Sequence, residues 1–180
     1  MAVQVVNDAG QPLPASIEGH LQVRGASLFV GYLKRPDLYS VDAQGWFATG
    51  DLARMDEQGY IRITGRTKDV VIRGGENIPV VEVENLLYKH PAISAVALVG
   101  CPDERLGERV CAYVTLHEGF DDLRLEDAVA FLLEHNLSRN YLPEYLEVLQ
   151  ALPRTPSGKI QKFKLHERAE SIRIEPAKRR

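Results

Sequence analysis

An α+β fold is predicted by three features of the sequence. Short apolar runs alternate with period two through residues 1–65, the period becomes helical at Pro79, and two strand-like runs joined by a polar loop follow. The chain accordingly reads as an all-β part, residues 1–65, and an α+β part, residues 66–180, in which a three-stranded sheet is flanked by helices.

In the first part Leu21-Gln22-Val23, Ser27 to Leu33 and Tyr60-Ile61-Arg62-Ile63 read as strands between Gly and Asp/Asn turns. Roughly 65 residues of strand is thin for an independent core. Beyond Pro79, Val80, Val83 and Leu87 fall on one face while Glu82, Asn85 and Lys89 fall elsewhere, which predicts a helix over 79–89 with Pro79 at its first position. Strands follow at Ile93 to Val99 and Arg109 to Leu116, and the short loop between them, Pro102 to Glu108, favours an antiparallel pair. Leu125, Val129, Leu132 and Leu133 predict a second helix, acidic early at Glu126-Asp127 and ending near His135, as a helix dipole prefers. A third strand, Tyr145 to Leu149, and a short helix, Phe163 to Glu170, complete the set.

Composition bounds the function. A chain of 180 residues, 44% hydrophobic and 26% charged, is ordinary for a soluble globular protein. Its net charge of −3 argues against a nucleic-acid binder, and the basic Lys178-Arg179-Arg180 after Pro176 reads as a solvated terminus. No membrane span is expected, because the longest apolar run, Ala92 to Gly100, is far below the roughly 20 residues required. The start MAVQVVNDAG lacks the basic end and apolar block of a secretory signal, and two cysteines make no disulfide framework. A reducing cytoplasm is the expected compartment, with Cys101 and Cys111 as buried small hydrophobes. The five histidines, His20, His90, His117, His135 and His166, have no metal-ligand spacing, and no metal site is expected.

Three short patterns carry candidate chemistry. PRTPSGK, residues 153–159, suggests a phosphate loop, but Pro153 stands where that loop needs its first glycine. A proline-bounded loop still has the means to aim one cation, Lys159, at an anion; the plain alternative is a surface turn. Plain alternatives exist for the other two as well: Thr49-Gly50-Asp51 as a turn, Gly74-Gly75 as a hairpin corner, and Arg66, Lys68 and Asp69 as a solvated charge cluster. Taken in order, GWFATGD (45–51), GRTKDVVIRGGENI (65–78) and PRTPSGK closely resemble the C-terminal signatures of the adenylate-forming superfamily: acyl-CoA synthetases, carrier-loading adenylation domains and luciferase-like enzymes. The resemblance runs from about Gly19 to Ala169, and it departs at His20, where the family usually has Glu.

The resemblance implies a specific chemistry. Such enzymes join a carboxylic acid to ATP, giving an acyl adenylate and pyrophosphate, and then pass the acyl group to a thiol, usually that of coenzyme A. Lys159 matches the adenylation lysine, Asp51 the carboxylate that accepts from the ribose hydroxyls, Arg66 a nucleotide-side arginine, and Lys68 the hinge about which the small domain turns. Gly74, Gly75 and Glu76 match the loop that lines the thiol tunnel. The resemblance also implies that residues 66–180 are the mobile C-terminal domain and residues 1–65 the terminal, barrel-like β subdomain of a large N-terminal domain. The phosphate loop, the adenine and Mg2+ ligands and the acid pocket would then lie outside these residues, so a large N-terminal domain is the expected partner. Apolar surface left uncovered on residues 1–65 would favour self-association into an oligomer. The run IRGGENIPVVEVENLLYKHP looks most like synthetases of medium-chain, alicyclic or aromatic acids. Aryl-acid enzymes that load a carrier protein share nearly the same run, and a non-catalytic interaction module is the expectation from another class.

Overall fold

The computed structural model describes residues 1–172, and in it the chain divides into a unit from Met1 to Lys68 and a second that begins at Asp69. The basic tail Lys178-Arg179-Arg180 lies outside the described residues. The first unit is an antiparallel meander of β1 (Ala2–Val6), β2 (Gly19–Arg24), β3 (Phe47–Met55) and β4 (Ile61–Arg66), paired in that order. One turn design recurs in it. Asn7, Asp42 and Asp56 each accept two backbone N–H bonds on a side-chain oxygen, and each is followed three residues on by a glycine with φ between +75° and +85°. The side-chain oxygen closes the turn and the glycine supplies the left-handed residue that ends it.

Two expectations are corrected in this unit. The sheet is open, ending at β1 and β4, so the barrel-like arrangement is not a closed barrel. Ser27 to Leu33 is not a strand: Gly25 and Gly31 take positive φ, Phe29 and Tyr32 go into an aromatic cluster, and Val30 and Leu33 are exposed. Phe29 packs edge-to-face on Tyr32, Tyr39 and Phe47 with ring centres 4.9–5.3 Å apart. The buried core is small, Val5, Leu21 and Ala53, backed by Val3, Leu13 and Met55.

The second unit holds a five-stranded sheet, not the three strands expected. The long antiparallel pair β7 (Ile93–Asp103) and β8 (Gly107–Leu116) forms its spine. The far edge of β8 carries β9 (Tyr145–Val148), which runs parallel to it, and β5 (Val71–Arg73), which leads to β6 (Glu76–Ile78). The two additional strands are three residues each, too short for a period-two pattern to register. Three helices flank the sheet: α1 (Val80–Leu87), α2 (Leu125–Glu134) and α3 (Lys162–Ala169).

Alternation along β7 sorts the core into two layers. Val96 and Leu98 pack with Val80, Val83 and Leu87 of α1 and Ala128 and Leu132 of α2. Ala95, Ala97, Val99 and Cys101 point the other way, against Leu152 and against Leu165 and Ala169 of α3. A strand covered on both faces has no solvent side, which is why its sequence reads as a continuous apolar run. Each fully buried Val or Leu contributes about 1.5–3 kcal/mol relative to exposure. Cys101 and Cys111 are free and buried here, and their mutual hydrogen bond together with burial pushes the Cys111 thiol up, keeping it protonated.

Candidate functional site

The sequence-predicted residues fall into three places, one in the first unit and two in the second. In the first unit Asp51 and Arg66 stand opposite each other on β3 and β4. Arg66 Nε lies 3.0 Å from Asp51 Oδ1, an ion pair in distance, but the N–H is not aligned on the oxygen and the buried Nε has no hydrogen-bond partner. Thr49 shapes the turn beneath them: its hydroxyl donates to Leu21 O at 3.1 Å and accepts from Asp51 N at 3.1 Å, and Arg66 Nη2 reaches Thr49 O at 3.5 Å. Both members of the pair keep about a third of their side-chain surface, 30% for Asp51 and 38% for Arg66, so the pair adds little to stability. What it does is set a cation beside the carboxylate. Asp51 is acceptor-only, and one ion-pair partner leaves lone pairs for the hydroxyls of a ligand.

A cleft of about 380 Å³ opens beside this pair, bordered by Tyr32, Phe47, Thr49, Gly50, Arg66 and Lys68. Its aromatic wall is braced: Tyr39 stacks on Phe47 at 5.3 Å and Phe29 packs against both. Lys68 is exposed, sits in a 3-10 turn over Thr67–Asp69, and is the last residue of the first unit. The turn is held at Thr67, whose hydroxyl is 3.3 Å from His20 Nδ1, while His20 Nε2 is 2.8 Å from Asp8 Oδ1. His20 thus joins two loops, a task a carboxylate could not perform toward Asp8.

In the second unit Gly74 and Gly75 form the two-residue turn between β5 and β6, with φ of +61° and +85°. Two consecutive left-handed residues are what a tight hairpin turn with the twist of its strands requires. The plain expectation of a hairpin corner describes their backbone. Gly74 to Asn77 are exposed, whereas Val71 and Ile78 at the base are buried. Gly74 N donates to Leu106 O at 2.7 Å and Ile72 N to Glu108 Oε2 at 2.8 Å.

The lysine loop is a closed structure of its own. Arg154 and Ile160 bridge its neck, Thr155 N donates to Lys159 O at 2.8 Å, Lys159 N donates to Thr155 Oγ1 at 3.1 Å, and Arg154 Nη1 donates to Gly158 O at 2.7 Å. Lys159 is exposed, and among the described residues its ammonium has neither an ion pair nor a hydrogen bond. Lys162, one turn further on, is the opposite case: its Nζ is 2.7 Å from Glu84 Oε1, with side chains 19% and 15% exposed. Glu84 Oε1 also accepts from Leu98 N at 2.7 Å, so the loop exit is pinned to α1 and β7. Neither this pair nor the pair of Arg73 with Glu144 was foreseen from the sequence, because ion pairs between distant segments leave no local pattern. Among the described residues no group of His, Cys, Asp and Glu could hold a metal ion, and no helix is long and apolar enough to cross a membrane.

Comparison with known proteins supplies the context. Residues 82–159 match the family described as AMP-binding enzyme C-terminal domain. The chain is 49% identical over 165 residues to a medium-chain fatty-acid–CoA ligase of Escherichia coli (strain K12), covering 91% of this chain and 29% of that protein. It is 40% identical over 172 residues to a 2-methylpropanoate–CoA ligase of Humulus lupulus, covering 94% of this chain and 31% of that protein. Among solved structures, ATP-bound MatB from Rhodopseudomonas palustris matches with TM-score 0.85 and 31% identity over 94% of this chain and 34% of that one. The chain thus spans about a third of the length of the relatives it matches.

Proposed function

We propose that this chain, which belongs to the adenylate-forming superfamily and carries its AMP-binding enzyme C-terminal domain, supplies the mobile catalytic part of an acid:CoA ligase acting on a medium-chain acid. The acid class is supported by the Escherichia coli relative, and the CoA acceptor by the ligases of that type among the relatives. The observation that carries the proposal is the state of the two loop lysines: Lys162 is paired with Glu84, while Lys159 projects from a closed loop with its charge unspent.

In the first half-reaction a carboxylate oxygen attacks the α-phosphorus of ATP, the bond to the β-phosphate oxygen breaks, and pyrophosphate leaves. Two anions must approach, and charge builds on the departing oxygen. Lys159 offsets both, and the loop that fixes its backbone spares the reaction the cost of organising it. Asp51, with Arg66 beside it, accepts from the ribose hydroxyls, and the wall at Tyr32 and Phe47 gives the nucleotide an apolar face. In the second half-reaction a thiolate attacks the acyl carbonyl, the bond to AMP breaks, and AMP leaves. Lys159 must withdraw and the Gly74-Gly75 hairpin take its place, with Lys68 as the pivot. Support for the pivot is the division of the two units directly after Lys68, and support for the hairpin is its exposed, side-chain-free tip. A large N-terminal domain provides the acid pocket and the phosphate and magnesium ligands. A cytoplasmic location accompanies the proposal, supported by two free buried thiols.

The test replaces the matching C-terminal part of the Escherichia coli ligase by this chain and follows AMP and acyl-CoA formation from ATP, CoA and a medium-chain acid. Thioester formation is the expected result. Adenylate without CoA thioester would point to another acceptor, and absence of both would overturn the ligase assignment.

A further inference from the structure

We infer that Glu144 and Arg73 form a positioning pair that fixes the Gly74-Gly75 hairpin for thiol transfer, an inference that rests on the proposed role of that hairpin in the second half-reaction. Arg73 is the last residue of β5, directly before the turn. Its guanidinium meets three acceptors of one segment: Glu144 Oε1 at 2.7 Å, Leu142 O at 3.2 Å, and Asn140 O. The other oxygen of Glu144 accepts from Val110 N at 2.9 Å, which carries the anchor into the central strand β8. Behind Glu144 lies a second guanidinium, that of Arg109, with Nη1 at 3.8 Å and with its own bond to Asp103. The Arg73 and Glu144 side chains are 13% and 22% exposed, which puts the pair largely out of reach of water and salt.

Besides this pair the hairpin is held by the buried Val71 and Ile78, by the bond from Ile72 N to Glu108 and by the bond from Gly74 N to Leu106 O. Its strands are three residues long, and its one register pair with the rest of the sheet is Arg73 with Gly107. Two-stranded hairpins of this size are marginal unless something braces them. A planar fork meeting one carboxylate oxygen and two carbonyls is a brace that arginine provides and lysine does not. The brace acts directly before the turn, at the Arg73–Glu76 pair that closes it, while Gly74 to Asn77 stay exposed. A strand end clamped next to a solvent-facing turn is the arrangement of a presented loop. With the clamp released, the turn loses its fixed place relative to β8, and an acceptor arm passing along it meets a disordered wall.

Glu144→Gln keeps the size of the side chain and removes its charge and one acceptor. Arg73→Lys keeps the charge and removes the fork, and serves as a second variant. Two readouts are taken. In the 180-residue chain, hydrogen exchange at Gly74 to Asn77 is expected to speed up in both variants while the β7 amides keep their protection. In the ligase built with this chain, the KM for CoA is expected to rise on the order of tenfold with kcat and the adenylation rate within about twofold. Unchanged exchange at the hairpin overturns the inference whatever the assay gives. So does an unchanged KM for CoA, or a parallel loss of adenylation and thioester formation. If the unmutated ligase makes adenylate but no CoA thioester, the functional proposal fails by itself, and the exchange result still decides whether Glu144 holds the hairpin.

Discussion

The two units bury their apolar residues to very different extents. In the second, β7 alone buries Val96 and Leu98 on one face and Ala97 and Val99 on the other, and helices cover both sides. In the first, four strands enclose a core of Val5, Leu21 and Ala53, while Val30 is 98%, Leu33 90% and Ile63 49% exposed. A self-contained unit is able to move as a body and carry a cation on a surface loop without losing its fold. A unit with uncovered apolar surface needs a neighbour to cover it, and in the proposed function that neighbour is the large domain. In the proposed function the contrast separates a scaffold that presents Asp51 from a mobile body that presents Lys159.

The largest effect that would break this division of labour is expected at Lys159. In a ligase containing this chain, Lys159→Ala should slow adenylate formation by about 10²–10³, the usual loss on removing a preorganised charge-stabilising group. Thioester formation from supplied acyl adenylate should be spared, because in the proposed function that step proceeds with the lysine withdrawn. Single-turnover measurements of the two half-reactions decide it, and equal losses in both would remove Lys159 from the adenylation role.

The second effect concerns stability and sharpens the same contrast. Leu132 is fully buried between α2 and the sheet, so Leu132→Ala should cost about 2–5 kcal/mol in urea unfolding followed by exchange at β7. Ile63→Ala, on the half-exposed face of β4, should stay within about 0.5 kcal/mol. A comparable loss at Ile63 would mean that the first unit has a core as well packed as that of the second.

Legibility in the sequence follows the same line between the units. Helix α1 was readable because Val80, Val83 and Leu87 repeat at helical spacing and all three are buried. The β7–β8 pair was readable because two long runs flank one short loop, although the strands reach further into that loop than the polar residues suggest. Ser27 to Leu33 misled because Phe29 and Tyr32 serve an aromatic cluster while Val30 and Leu33 stay exposed, and alternation does not distinguish this from a pleat. At the candidate site the tips Lys159 and Gly74-Gly75 stood out through their prolines and glycines. Their supports did not: Glu84 with Lys162 and Arg73 with Glu144 join segments far apart in the chain, and each member alone looks like a solvated charge.

The smallest effect is expected at the Asp103–Arg109 pair behind Glu144, and it depends on pH. The Asp103 carboxyl is held below the usual carboxylate range, first by the hydrogen bond from Arg109 and then by the backbone N–H groups of Leu106 and Arg105, against the opposing effect of burial. Arg109 is correspondingly raised by the bond to Asp103. A carboxyl with a lowered folded-state pKa stabilises the protein above its unfolded value, about 3.9 for aspartate, and that stabilisation disappears as the pH falls through the folded value. Asp103→Asn should therefore be less stable than the unmutated chain at pH 7, and the two should converge as the pH drops below about 4. Asp127 and Glu147, also held low by Arg124 and Arg168, titrate over the same acid range in both proteins, so they cancel in the difference. Urea midpoints taken at steps between neutral and acid pH report that difference directly. A gap that stays constant with pH would mean that the charge on Asp103 contributes nothing and that Arg109 is held by Glu144 instead.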